Sequence, residues 1–186
     1  MILGMSLPAF TALHVALSLI GIAAGTLALL RPCASTKAAS LTALFLATTL
    51  AASVTGLLFV ALSPRLGLGH VLGVVSLAVL VPTLLALYRY RLAGAGRWIY
   101  VAGATLVLYL NAFIGVMQAF GKIGFLRALP STTFASPLLL AHLLLLVICL
   151  WLGVHAVTSL QPGGFPRPAR ARPTRPLRVA DAGGTD

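Results

Sequence analysis

The sequence predicts an all-α transmembrane bundle of five helices with a disordered, basic C-terminal tail. Three observations carry this reading. Of 186 residues, 60% are hydrophobic and only 8% are charged, whereas a soluble domain carries about a quarter charged residues. The two acidic residues, Asp181 and Asp186, fall at the very end, so residues 1–180 contain no carboxylate side chain. The thirteen Lys and Arg residues also cut the chain into apolar intervals of membrane-crossing length, roughly 20 residues each.

The first interval, residues 1–30, has no charged side chain and predicts a span over 7–30. It lacks the basic n-region of a secretory signal, and its apolar run exceeds an h-region, so residue 1 is read as part of the mature protein. Lys37 to Arg65 encloses 27 residues and predicts a span over 39–62. Arg65 to Arg89 encloses 23 and predicts 67–88, with Pro82 expected to bend it. Arg97 to Lys122 encloses 24 and predicts 98–120. The last span is expected over 137–160, with Pro137 in the first turn, where its missing N–H costs nothing. Continuous apolar runs favour helices over barrel strands, which alternate at period two.

Five spans place the termini on opposite sides. One side then holds Arg65, Lys122 and Arg127; the other holds Arg31, Lys37, Arg89, Arg91, Arg97 and five tail arginines. Short loops rich in Lys and Arg stay in the cytoplasm. The expected topology is therefore N-terminus outside and C-terminus cytoplasmic, with Trp98 and Tyr100 at the inner boundary. Residues 1–160 form the transmembrane domain. Residues 161–186, with five Pro, four Gly and five Arg, lack the apolar content to order themselves. Arg167, Arg170, Arg172, Arg175 and Arg178 suit anionic lipid headgroups, at about 1 kcal/mol each near the surface. No nucleic-acid partner is expected, because no aromatic interleaving accompanies the arginines.

The missing carboxylates exclude paired-acid hydrolysis, acidic calcium or magnesium sites and a Ser-His-Asp set within the spans. What remains is a handful of polar residues in apolar helices. His14, Ser18, Gly21, Gly25 and Ala28 share one helical face, as do His142, Cys149, Gly153 and Ala156. Small stripes of this kind, including Gly21 and Gly25 four apart, are where membrane helices approach closely. By depth, His14, His70, Gln118 and His142 fall in the outer half of the bilayer, with Asn111 deeper. They form a candidate polar cluster, serving interhelical hydrogen bonds or, more sharply, histidine ligation of haem or a transition metal. His142 and His155 are thirteen residues apart, which leaves them roughly 140° apart around the helix and removes a stacked two-haem arrangement. The hydroxyls Thr42, Thr48, Thr49, Ser53 and Thr55 are expected to bond back to preceding carbonyls. Cys33 and Cys149 lie at different depths and are not expected to pair.

The stretches TALFLATTLAASVTGLLF (42–59), GHVLGVVSLAVL (69–80), YRYRLAGAGRWIYV (88–101) and LYLNAFIGVMQAFGKIGFLRAL (108–129) resemble a group of small multi-pass bacterial inner-membrane proteins. That likeness covers about residues 41–135 and implies a bacterial inner-membrane location without assigning any residue a role. The leading functional expectation is a non-enzymatic subunit or accessory factor of a membrane assembly, possessing no cofactor and packing with other membrane subunits or with its own copies. Two alternatives are a haem- or quinone-associated electron-transfer protein using His14 with His142 or His70, and a small solute transporter.

Overall fold

The computed structural model describes residues 4–31, 36–59, 67–130 and 136–160. These form six helices and, among the described residues, no strand: α1 Leu7–Leu30, α2 Thr36–Leu58, α3 Leu68–Leu84, α4 Gly96–Lys122, α5 Gly124–Arg127 and α6 Pro137–Ser159. α1, α2, α4, α6 and the continuous helix Leu68–Arg89, of which α3 is the greater part, are long and apolar enough to cross a membrane; α5 has four residues. The tail arginines Arg167, Arg170, Arg172, Arg175 and Arg178, together with Arg65 and Cys33, lie outside the described residues.

Local chemistry sets the helix ends. Ser6 Oγ accepts the Ala9 N–H at 3.4 Å, and Pro8 occupies the first turn of α1. Pro137 opens α6 in the same way after Ser136. At α3 the Gly67 N–H donates to Nδ1 of His70 at 2.9 Å, so His70 satisfies a donor that the helix itself leaves unpaired.

Lys37, Arg97 and Lys122 are taken into helices, and this moves three of the expected boundaries. α2 starts at Thr36 and runs through Lys37, while α4 contains Arg97 and Lys122. Their long stems let the cationic heads reach the interface while the backbone stays helical.

Pro82 lies inside α3 and withholds the donor that the Ala78 carbonyl would otherwise receive. Thr83 Oγ1 donates to the Val79 carbonyl at 2.7 Å in the same turn. The helix then widens into a π-helical turn over Leu85–Arg89, closed by Tyr90 N–H to Leu85 O at 3.0 Å.

The chain reverses through Arg91 at φ 49°, Leu92 at φ 59° and Gly94 at φ 53°. For a non-glycine residue this left-handed geometry costs about 1–2 kcal/mol. Leu92 offsets its share by burial, worth about 1.5–3 kcal/mol for such a side chain. It is 4% exposed, and its N–H reaches Ala86 O at 3.0 Å.

α4 is the central helix. It packs against α1, α3 and α6, and it buries Tyr100, Val101, Gly103, Ala104, Val107 and Leu108. The core joins these to Phe45 and Leu46 of α2, Leu80 of α3 and Leu152 and Ala156 of α6. α1 pairs most extensively with α2.

Two contacts bring helix ends together. Arg97 Nη1 donates to Leu160 O at 2.9 Å, and His155 Nε2 lies 3.2 Å from Leu30 O. A carbonyl only accepts, so His155 donates from Nε2. The end of the bundle joined by these bonds carries Arg31, Lys37, Arg89, Arg91 and Arg97. The opposite end carries Lys122 and Arg127 among the described residues.

Candidate functional site

The polar interior is built where a hydroxyl or ring on one helix meets a glycine on the next. At Gly21 of α1, a Cβ would sit 3.2 Å from Thr48 Oγ1 and 3.3 Å from both Thr49 Oγ1 and Asn111 Nδ2. Asn111, on α4, donates from Nδ2 to the Ser18 carbonyl of α1 at 3.2 Å. Three helices therefore converge on the smallest residue of α1. One turn on, the Phe45 ring covers Gly25 so closely that a Cβ would stand 2.6 Å from two ring carbons. On α4, a Cβ at Gly103 would collide with Thr83 Oγ1 of α3. On α6, a Cβ at Gly153 would lie 2.9 Å from Thr105 Oγ1 of α4. The interfaces α1–α2, α3–α4 and α4–α6 are thus all keyed by threonine against glycine.

The hydroxyls meet their hydrogen-bonding needs in two ways. Thr48 donates to Leu44 O at 2.7 Å and Thr83 to Val79 O at 2.7 Å, each one turn back along its own helix. Thr49 and Thr105 have buried Oγ1 atoms with no hydrogen-bond partner among the described residues. Each lies against a glycine Cα, where Cα–H···O contact is the available compensation. Helix–helix packing in membranes favours this arrangement, since small residues let backbones approach and lipid supplies no competing hydrophobic drive.

The histidines occupy separate places. His14 Nδ1 lies 2.9 Å from Thr55 Oγ1 of α2, and its ring meets Phe59 edge-on at 5.5 Å. Thr55 Oγ1 also lies within hydrogen-bond distance of the Ala51 and Ala52 carbonyls, at 2.8 and 3.1 Å, so His14 is tied to the α2 backbone through it. His142 sits at the α4–α6 interface. Its Nδ1 lies 2.8 Å from Leu138 O, its Nε2 3.4 Å from Phe113 O, and its ring 4.1 Å from that of Phe113. His70 is the cap of α3. Gln118 is exposed and Asn111 half-buried.

These positions do not fit an axial haem pair. Both ring nitrogens of His142 face carbonyl oxygens, and His14 is turned toward α2. Nor does any group of three His, Cys, Asp or Glu suited to a metal ion occur among the described residues. Cys149 is a buried free thiol.

Two interior contacts had no counterpart in the sequence reading, the Arg97–Leu160 bond and the His155–Leu30 bond. Arg97 also stands 5.7 Å over the Trp98 ring, and Trp151 stacks on His155 at 5.6 Å. The aromatic residue near each side chain, Trp98 next to Arg97 and Trp151 four residues before His155, was the signal in the sequence.

This architecture defines a multi-pass α-helical membrane protein. The chain matches no protein-family model, no curated protein and no solved structure.

Proposed function

We propose that the chain is a non-enzymatic subunit or accessory factor of a bacterial inner-membrane assembly, recruited through α6. The observation that carries this reading is the lopsided enclosure of α6. It is the most apolar of the five long helices and the least enclosed, with 11% of its apolar 18-residue stretch buried against 28–44% for the others. Only Cys149, Leu152 and Ala156 are buried, while Leu140, Leu144, Val147, Trp151 and Val154 form an exposed ridge.

The interior polar groups support the same view, because they are spent on helix–helix contacts. Haem-linked electron transfer is disfavoured by the separate histidine environments. A transport path is disfavoured by the fully buried Phe45, seated on Gly25 between the Thr42 and Thr48 levels of α2. Five basic residues at one end against two at the other, among the described residues, support a cytoplasmic basic end and an external N-terminus.

The test is site-specific photocrosslinking in native bacterial membranes. A photoreactive residue at Leu144 or Val147 of α6 should give one discrete protein adduct, and the same residue at Leu50 of α2 should give lipid adducts. Lipid adducts alone at all three positions would remove the proposal.

A further inference from the structure

We propose that the α3–α4 turn is a binding site for the phosphate of an anionic phospholipid, formed by Arg89 and Arg91 and seated by Tyr88, Tyr90 and Trp98. Both arginines are exposed, and neither has an ionic or hydrogen-bonding partner among the described residues. No carboxylate is available to them there, because the chain's only acidic residues are Asp181 and Asp186. Within the described residues nothing competes with an external anion for them.

Arg97, the third basic residue of this region, is already committed. It is half-buried, bonded to the Leu160 carbonyl and placed over Trp98. That commitment leaves Arg89 and Arg91 as the pair open to a ligand.

The setting selects a lipid. Tyr88 and Tyr90, 59% and 60% exposed, adjoin the two arginines in sequence, and Trp98, 56% exposed, lies in the first turn of α4 beyond the reversal. Aromatic residues of this kind settle at headgroup level, so the guanidinium groups stand where lipid phosphates lie. Arginine binds phosphate through two parallel N–H donors.

The turn also holds Arg91 outward. Its neighbour Leu92 is driven into the core, and its backbone N–H is fixed to Ala86 O at 3.0 Å. Arg91 itself keeps the left-handed geometry, at φ 49°, with its side chain at the surface.

Native mass spectrometry of the full chain in mild detergent, titrated with phosphatidylglycerol, tests the proposal. At about a fivefold affinity factor per arginine, the R89Q/R91Q variant should bind about 30-fold more weakly than the unmodified chain. A variant with all five tail arginines changed to Gln should retain the tight site. Arg91→Gly provides a second variant that suits the left-handed backbone. It should lose about fivefold in lipid affinity with no fall in thermal stability.

Phosphatidylcholine should not fill the site, and millimolar inorganic phosphate should not displace phosphatidylglycerol. The proposal is overturned if R89Q/R91Q binds phosphatidylglycerol as the unmodified chain does, or if only the tail variant loses it. Equal filling by phosphatidylcholine, or displacement by inorganic phosphate, overturns it as well.

Discussion

α4 and α6 lie side by side, and both are long enough to cross a membrane, yet they treat their apolar surface in opposite ways. α4 carries Tyr100, Gly103, Thr105 and Asn111 and is the most enclosed helix. α6 is the most apolar and the least enclosed. In water the order would be reversed, since burial there is driven by apolar area. In a bilayer lipid is as apolar as leucine, so leucine gains little from the interior. The interior goes instead to residues that let backbones approach or that hydrogen-bond across helices. Glycine and threonine therefore mark the close helix contacts, whereas leucine is found both in the core, as at Leu46, Leu80, Leu108 and Leu152, and along the exposed face of α6.

The contrast can be broken by substitution, and the largest expected effect is on α4. Gly103→Leu drives a side chain into Thr83 and should cost about 3 kcal/mol, the upper range for overpacking. Reversible unfolding of the purified protein in mixed detergent measures it. Asn111→Leu removes the bond to Ser18 O and crowds the Gly21 junction. It should cost about 1–2 kcal/mol in the same assay, the bond itself accounting for about 0.6.

The histidines come next. His14→Phe removes the bond to Thr55 and should cost about 0.6 kcal/mol, the average for such membrane contacts. In parallel, protein expressed with haem supply should show no Soret band; a Soret band lost on His142→Phe would show instead that His142 is a ligand. The smallest effect belongs to the outer ridge of α6, where Leu144→Ala should stay within about 0.5 kcal/mol of the parent. A cost comparable to that of Gly103→Leu would show that this ridge is packed in the isolated protein.

The five spans were readable because long uncharged runs have only one stable form in lipid. α1 begins and ends where the apolar run does, at Leu7 and Leu30. The start of α2 and both ends of α4 lie beyond the uncharged runs, because Lys37, Arg97 and Lys122 extend to the interface from within a helix. Pro82 signalled a disturbance in α3, but the π-helical turn at Leu85–Arg89 follows from how the freed backbone re-pairs, which no local pattern encodes.

The glycine stripes of α1 and α6 were visible from their spacing. Their partners were not, because Thr48 and Thr105 meet Gly21 and Gly153 only across helices, and a single sequence carries no signal for that pairing. Depth placed His14, His70, Gln118 and His142 in one slab of the membrane. Depth leaves the direction around each helix open, and the fold sends these side chains to different surroundings.

The threonine-against-glycine keying of α4 is tested most directly by a double-mutant cycle at the α3–α4 interface. Gly103→Ala alone should cost about 2 kcal/mol, because the new methyl group meets Thr83. Thr83→Ala removes the hydroxyl and the Cγ2 methyl group that crowd it. Combined, the two changes should cost at least about 1 kcal/mol less than the sum of the separate costs, as expected for groups in direct contact. Additive costs, within about 0.3–0.5 kcal/mol, would mean that Thr83 and Gly103 are not in contact and would contradict the account.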